Sequence, residues 1–340
     1  MKQLISAVEL HGVRRWMHVT LASCLLLSLG TASSAQAKIA PDQLQISGML
    51  QTIELAPVHV AADQIYPGGA KVRNGGIPIL FLPPDKKPSH VATHAETQAL
   101  RYSLERPDLR IILTVARGHY RIVARRSAGI KSLADLRGKR IATMSATSAG
   151  FYLHNALASV GLSEADLTVV DHPRPQKLSQ SIITGDVDAL SIWEPEMELA
   201  VDALGEDAII FHPDVAYDEL FNLNSIAANL SDPERRLQIV KFVAALIRAS
   251  SETATDPQRA IEMVASNTGY APELIRAAWP HHSFPAAIAP DLLDVLTREE
   301  IWLARKEGRP ARDRATLAKL VDPSIEIEAR AMLKREKAAQ

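Results

Sequence analysis

The chain has 340 residues, with 38 lysines and arginines against 39 aspartates and glutamates, and it contains one cysteine. This even balance, without a clustered basic face, excludes the footprint of a nucleic-acid-binding protein. Beyond an N-terminal leader, the length predicts two domains, because domains usually contain roughly 100–200 residues each.

The N-terminus has the pattern of a secretory signal peptide over residues 1–37. Two arginines precede an apolar run at about residues 19–29, and Ala35-Gln36-Ala37 supplies the small residues of a cleavage site. The run is shorter than the roughly 20 residues of a membrane-spanning helix. A lipoprotein-like box ending at Cys24 leaves a lipid anchor as the alternative. We expect a periplasmic protein whose mature chain lacks cysteine, and therefore lacks disulfides, thiolate metal sites and iron–sulfur clusters.

Residues 38–120 alternate strand-like and helix-like patterns and predict a first α/β unit. Apolar runs bounded by glycine and proline indicate the strands, and longer mixed segments indicate the helices. The predicted strands are Gln45–Leu50, Ile77–Leu82, Val91–Thr93 and Leu109–Val115, and the predicted helices lie near Ile53–Gln64 and Ala95–Leu104. An extended segment, Tyr120–Arg125, leads into the next unit.

Residues 125–212 have the clearest pattern in the chain, a β-α-β-α-β-α alternation typical of a parallel sheet with helical crossovers. Ser132 is predicted to cap a short helical turn, and Ser148 is predicted to cap the first crossover helix. The predicted strands are Arg140–Met144, Leu167–Val170 and Val187–Ile192, and the helices are Ser148–Val160, Pro175–Ile183 and Glu194–Leu204.

The remainder of the chain is predicted to be helical. Pro233 opens a long amphipathic helix, and three later prolines, Pro257, Pro272 and Pro290, stand at further helix starts. The polar segment 334–340 is expected to fray as a flexible tail.

Polar side chains gather where the predicted strands end. Ligands of open parallel sheets bind beyond the carboxyl ends of the strands, so these positions are the first candidates for a site. The indole of Trp193 offers a stacking face and Glu194 a hydrogen-bond acceptor. The alternative is that Trp193 packs under a loop and Glu194 only complements a helix dipole. The candidate ligand-binding residues are Gln51, Thr93, Glu96, Ser145, Thr147, Ser148, Trp193 and Glu194.

Two of these candidate groups stand at predicted helix starts. Hydroxyl groups at Ser145, Thr147 and Ser148 precede free backbone amides, which favour a negative or polar ligand group. Simple capping by Ser148 is the alternative. At Thr93 and Glu96 the alternative is a capping box. The hydroxyl-rich helix start favours an oxyanion, whereas the two glutamates favour a cation, and together they suggest a zwitterionic solute.

The series "GIKSLADLRGKRIA", a hydroxyl-rich loop, "GDVDA" and "WEP" resembles the nitrate/sulfonate/taurine family of ABC-transporter substrate-binding proteins. The resemblance covers most of residues 45–305 and is weakest before about residue 90. It implies an α/β type 2 periplasmic binding fold with two lobes, each a mostly parallel sheet flanked by helices. Lobe 1 would comprise 38–122 and would be completed by 214–333, and lobe 2 would comprise 123–213. The family motif places ligand contacts on the candidate serines, threonines, Trp193 and glutamates.

The resemblance also implies a function without catalysis. Hinge closure would capture a small solute, either sulfonate-, taurine- or nitrate-like or heteroaromatic, and a membrane permease would receive it from a monomeric protein. No metal or cofactor is expected. The alternatives are a periplasmic sensor module or an enzyme of the same fold. Against an enzyme, the mature chain lacks the cysteine-rich motif of the pyrimidine-forming relatives and common hydrolase motifs. The pair His281-His282 is interpreted as packing or surface.

Overall fold

The computed structural model describes residues 43–215 and 217–339. The predicted signal peptide and Cys24 lie outside these residues. None of the described helices combines the length and the apolar character needed to cross a membrane.

Eleven described strands form two sheets. The first sheet has the order β11-β4-β10-β3-β1-β2 and the second has the order β7-β6-β8-β5-β9. The strands are β1 (Gln45–Gly48), β2 (Lys71–Asn74), β3 (Val91–Ala95), β4 (Leu109–Gly118), β5 (Ile122–Arg125), β6 (Arg140–Thr143), β7 (Thr168–Asp171), β8 (Ala189–Ser191), β9 (Ala208–Phe211), β10 (Glu219–Ile226) and β11 (His282–Ser283).

The chain passes from the first sheet to the second between β4 and β5, and it returns between β9 and β10. Within the first sheet β1 pairs in parallel with β2 and β3, while β10 is antiparallel to β3 and β4. Within the second sheet β6 is parallel to β7 and β8, while β5 is antiparallel to β8 and β9. The predicted two-sheet α/β architecture is confirmed, although antiparallel crossing strands make both sheets mixed.

Helices cover the faces of both sheets. They are α1 (Ala56–Val60), α2 (Glu96–Tyr102), α3 (Ser148–Ser159), α4 (Pro175–Thr184), α5 (Glu196–Leu204), α6 (Ala227–Ser231), α7 (Pro233–Thr255), α8 (Gln258–Thr268), α9 (Pro272–Ala278), α10 (Leu292–Glu307), α11 (Arg314–Ala318) and α12 (Ser324–Ala338). The long helix α7 begins as predicted, with Pro233 in its first turn. Asp232 caps it by accepting a hydrogen bond from the Arg235 backbone N–H at 2.7 Å.

Two apolar cores hold the fold together. One core packs α7 and α1 against the first sheet, with Phe242 and Val243 beside Ile46. The other packs α3 and α4 against the second sheet and continues to α10, with Leu153 beside Ile141. These side chains are almost completely buried, so the hydrophobic effect supplies most of the driving force for docking the helices.

The predicted strand Ile77–Leu82 is wrong, because this apolar segment forms a 3₁₀ helix at Ile77–Phe81. Pro78 lacks the backbone N–H that a strand ladder requires. Ile77 and Leu80 are the buried members of the segment, and their spacing of three residues matches one 3₁₀ turn. The edge position beside β1 is taken by β2, a polar strand that its sequence, KVRN, did not indicate.

Three helix termini differ from prediction. Helix α3 starts at Ser148 itself, and Thr147 occupies the capping position, so Ser148 does not cap it. Helix α5 starts at Glu196, after a cis peptide bond between Glu194 and Pro195. The segment expected to fray from residue 334 onward continues α12 as far as Ala338.

Candidate functional site

A cavity of about 380 Å³ lies where the ends of the two sheets meet. Residues from both sheets and their helices line it, so it depends on both halves of the fold. The first half contributes Met49, Thr52, Glu54, His94, Ala95, Gln98, Arg101, Glu219 and Phe221, and the second contributes Met144, Ala146, Thr147, Ser148, Asp171, Pro173, Pro175 and Trp193.

Three predicted site residues line this cavity. Trp193 is partly buried directly after β8, where the strand-end argument placed it. Thr147 donates its hydroxyl to the Met144 carbonyl at 2.8 Å and keeps the loop before α3 compact. Ser148 is buried, and its hydroxyl lies 3.0 Å from the Tyr120 hydroxyl and 3.1 Å from Glu219 Oε1. Ser148 thus connects the start of α3 with a carboxyl group from the first sheet.

Glu194 lies behind the cavity and does not line it. Its Oε1 accepts hydrogen bonds from Arg121 Nε at 3.0 Å and Nη2 at 2.8 Å, and its Oε2 accepts from the Glu198 backbone N–H at 2.8 Å. Arg121 also pairs with Glu198. Burial raises the pKa of Glu194, and the Arg121 charge opposes that rise. Glu194 therefore anchors the crossing at Arg121 through contacts within the protein.

Glu96 and Thr93 are buried below the cavity surface. Glu96 accepts hydrogen bonds from the Tyr217 hydroxyl at 2.6 Å and from the Leu220 backbone N–H at 2.8 Å. The Thr93 hydroxyl is buried without a hydrogen-bond partner among the described residues. Both side chains thus lie within the first sheet and its helix α2, where Thr93 is next to the cavity-lining His94 and Glu96 is next to the cavity-lining Ala95.

Ser145 and Gln51 are not among the residues that line the cavity. The Ser145 backbone N–H donates to Asp171 at 3.1 Å, which fixes the loop after β6 to the end of β7. The Gln51 side chain accepts a hydrogen bond from Gln176 Nε2 at 3.1 Å. Gln98 Nε2 similarly donates to the Ala146 carbonyl at 3.2 Å. The last two contacts join the first half of the fold to the second across the cavity.

Two buried carboxyl groups, Glu96 and Glu299, make the stability of the protein depend on pH. Burial raises the pKa of Glu299 from 4.5 to about 8, and burial together with Glu299 raises the pKa of Glu96. The folded protein therefore holds protons that the unfolded chain releases. The resulting stabilisation is complete below about pH 4.5 and is lost as pH rises towards 8.

We expect Glu299→Gln to flatten this dependence. The substitution removes one titrating group, and each proton contributes a slope of up to about 1.4 kcal/mol per pH unit. Urea unfolding of both proteins at several pH values between 5 and 8 measures the slopes. The exposed Glu273→Gln serves as the control and should retain the wild-type slope. Identical slopes for Glu299→Gln and wild type would contradict the assignment.

The structure adds cavity residues that are not among the eight candidate ligand-binding residues. Glu54 and Glu219 are 2% and 5% exposed, and both face the cavity. His94 also lines it, and burial lowers its pKa to about 4, so the imidazole is neutral at pH 7. Arg101 and Asp171 bring opposite charges to the opening. The signal for His94 and Glu54 was their position next to predicted strand ends, whereas nothing in the sequence indicated Glu219.

One group of described residues has the spacing of a metal site. Oxygen and nitrogen atoms of Glu194, Glu198 and His281 lie within 4.8 Å of one another. Arg121 already pairs with both carboxylates, so a bound cation would have to compete with a guanidinium. We therefore assign this group to the Arg121 ion-pair cluster.

A family model described as NMT1/THI5 like matches residues 88–260, just over half of the chain. The chain belongs to the NMT1/THI5-like family. The matched range runs from just before β3 into α8 and includes Thr147, Ser148, Trp193 and Glu219. Glu54 precedes it, so this part of the cavity lies outside the matched segment of the NMT1/THI5-like protein.

Two curated relatives are similar to parts of this NMT1/THI5-like chain. A protein of Brucella abortus (strain 2308), provisionally named as a binding protein, is 25% identical over 138 residues, which is 40% of this chain and 43% of the relative. A protein of Haemophilus influenzae, provisionally named for thiamine biosynthesis, is 32% identical over 147 residues, which is 41% of this chain and 44% of the relative. The chain spans less than half the length of these relatives.

Solved structures with the same fold cover most of the chain. The alkanesulfonate-binding protein SsuA of Xanthomonas axonopodis, bound to MOPS, has a TM-score of 0.65 at 20% identity. The match covers 83% of this chain and 98% of SsuA. The nitrate-binding protein NrtA of Synechocystis has a TM-score of 0.67 at 12% identity, and the match covers 86% of this chain and 89% of NrtA. The desulfurization enzyme DSZB has a TM-score of 0.59 at 16% identity, and the match covers 87% of this chain and 99% of DSZB. The periplasmic binding protein fold is thereby confirmed.

Proposed function

We propose that this protein is an exported, periplasmic solute-binding protein that captures a small organic solute and delivers it to the permease of an ABC importer. The observation that carries the proposal is the cavity lined by residues of both sheets. A solute there touches both halves of the fold at once. Because it contacts both, it favours the closed arrangement over an open one.

The two sheets correspond to two lobes in this proposal. Lobe 2 is residues 123–213, and its support is that β5 to β9 form one sheet. Lobe 1 is residues 38–122 together with 214–333, and β1 to β4, β10 and β11 form its sheet. The two crossings, at residues 119–121 and at residues 212–215 and 217–218, are the proposed hinge. The contacts of Gln98 with Ala146 and Gln51 with Gln176 would break when the lobes separate.

The cavity fits an organic solute better than a bare oxyanion. Its volume of about 380 Å³ is within the usual range for small-molecule sites, roughly 300–1,000 Å³. Phe221, Trp193 and two methionines supply apolar surface around a few polar groups. The named relatives bind alkanesulfonate and nitrate, so these solutes, taurine and heteroaromatic compounds form the panel to be tested.

We propose binding rather than catalysis, although DSZB shares the fold. Among the described residues, three hydroxyl groups line the cavity, and none of their hydrogen bonds is to a histidine that would serve as a general base. Thr52 and Thr147 donate to the Met49 and Met144 carbonyls, and Ser148 is hydrogen-bonded to Tyr120 and Glu219. The only cysteine in the sequence is Cys24, within the predicted leader. Solute capture by a monomer needs neither group.

Calorimetric titration of the purified mature protein against this panel tests the proposal. We expect at least one organic member to bind with one site per chain and to raise the melting temperature, because only the folded protein has the cavity. Nitrate alone should bind more weakly than the organic members. A protein whose heat signal and melting temperature respond to no member of the panel would contradict solute capture.

A further inference from the structure

Two carboxyl groups meet at the floor of the cavity. Glu54 comes from the turn after β1 and Glu219 from the first residue of β10. A Cβ placed on Gly118 would lie 3.2 Å from Glu219 Oε2 and 3.6 Å from Glu54 Oε1. Both acids thus approach the same point on β4. Two negative charges held near each other in a buried site repel each other, and this repulsion favours a proton on one of the two acids.

The surroundings of the pair favour retention of this proton. Among the described residues Glu219 has no ion-pair partner, and the partner of Glu54 is His282, whose Nε2 lies 3.4 Å from Glu54 Oε1. Burial and the neighbouring Glu54 raise the pKa of Glu219 well above its usual value. The pair therefore carries less than two negative charges in the empty cavity.

Other ionisable groups face the pair from each packed element. From the crossing, the β8 end and the β11 region come His119, Tyr120, Glu194 and His281, in addition to His282. From α2, α10 and the loop before β10 come Glu96, Glu299 and Tyr217. On the cavity side lie His94, Arg101 and Asp171. Arg121, the buried cation nearby, is already paired with Glu194.

The pair is also incompletely satisfied. Glu54 Oε2 is buried and has no hydrogen-bond partner among the described residues. Glu54 lines the cavity and is 2% exposed. A buried acceptor without a donor is unfavourable, so a ligand that donates a hydrogen bond at this position removes that penalty.

We propose that Glu219 keeps its proton in the empty cavity and releases it when a cationic nitrogen group of the amidinium type binds across Glu219 and Glu54. The proton leaves to solvent, no covalent bond to the ligand forms, and the ligand keeps its own protons. The net charge of the site is −1 before binding and −2 plus +1, again −1, afterwards. An amidinium presents two N–H donors in the fork geometry that carboxylates accept. This inference rests on the proposed function and specifies its ligand class.

An oxyanion is disfavoured by the same arrangement. A sulfonate or nitrate at the cavity floor would add a negative charge beside the pair, where no described cation other than the outlying Arg101 could compensate it. The cavity floor therefore favours a cationic ligand, whereas the names of the solved structures refer to anionic ligands.

Calorimetry with benzamidine, a planar amidinium that stays charged around neutral pH, tests the inference. Titrations at pH 7 in buffers of different ionisation enthalpy count the protons released. We expect about one proton per bound benzamidine, and an affinity that rises roughly tenfold per pH unit below the pKa of the pair. Methanesulfonate under the same conditions should bind at least tenfold more weakly.

Two variants locate the source of the proton. Glu219→Gln should abolish the release and the pH dependence, while Glu273→Gln, which removes an exposed acid that does not line the cavity, should keep both. Release that persists in Glu219→Gln would overturn the inference, since another group would then be its source. Binding of methanesulfonate but not benzamidine, or of benzamidine without proton release, would overturn the inference and leave solute capture standing. A protein that binds neither benzamidine nor any solute of the panel would overturn both.

Discussion

Replacing Arg121 with methionine is expected to lower the free energy of unfolding by about 3–5 kcal/mol, the usual cost of leaving a buried charge without its partner. The Arg121 and Glu194 side chains are 5% and 4% exposed, so water cannot replace the lost contact. Glu198 would lose the same partner. The midpoint of urea unfolding, followed by circular dichroism, measures the loss.

An exposed ion pair in the same half of the fold provides the matched control. Arg140 pairs with Asp188 at 2.8 Å, and its side chain is 46% exposed. Arg140→Met should therefore cost less than about 1 kcal/mol. Adding Glu194→Gln to Arg121→Met should recover part of the stability by removing the orphaned charge. Equal losses for Arg121→Met and Arg140→Met would contradict the role of Arg121 as a buried anchor.

Trp193→Ala is expected to weaken binding of a solute found in the panel by about 2 kcal/mol, or roughly 30-fold, as for a buried aromatic anchor. The indole lines the cavity next to the turn into α5, and its removal takes away a large apolar contact. Trp193→Phe keeps an aromatic face and should lose much less. Calorimetry measures both affinities, and melting temperatures verify that the variants fold. Unchanged affinity in folded Trp193→Ala would assign the indole to packing.

The second sheet was the most predictable part of the fold. Its strands and helices alternate with clear stops at glycines such as Gly161 and Gly185, so the order of elements followed from local chemistry. The first sheet was harder because its crossing strand β10 hides two buried amides, Asn222 and Asn224, in an apolar pattern. Their donors are satisfied by the carbonyls of Leu220 and Ala92, a compensation that no local pattern shows.

The candidate site was predictable where parallel strands end and unpredictable elsewhere. Trp193 and Thr147 follow strands β8 and β6 and were found by that rule. Glu219 begins a strand, but β10 runs antiparallel to β3 and pairs Phe221 with Ala95. Its amino end therefore lies at the same edge as the carboxyl end of β3, which only the topology reveals.

Two glutamates that the sequence predicted as ligand contacts do not line the cavity. Glu96 and Glu194 stand at strand ends, yet each is turned into the protein, towards Tyr217 and Arg121 respectively. Position along the chain gave the correct edge of the sheet but not the direction of the side chain. Their role as ligand contacts stays a prediction, while the cavity itself presents Glu54 and Glu219.

A crystal structure of the protein with a solute that binds in the calorimetric panel would test the central claim most directly. We predict that the solute lies in the cavity of about 380 Å³, against Trp193 from the second half of the fold and with a nitrogen edge on Glu54 and Glu219 from the first. A solute bound outside this cavity, or one that contacts residues of a single sheet only, would contradict the account.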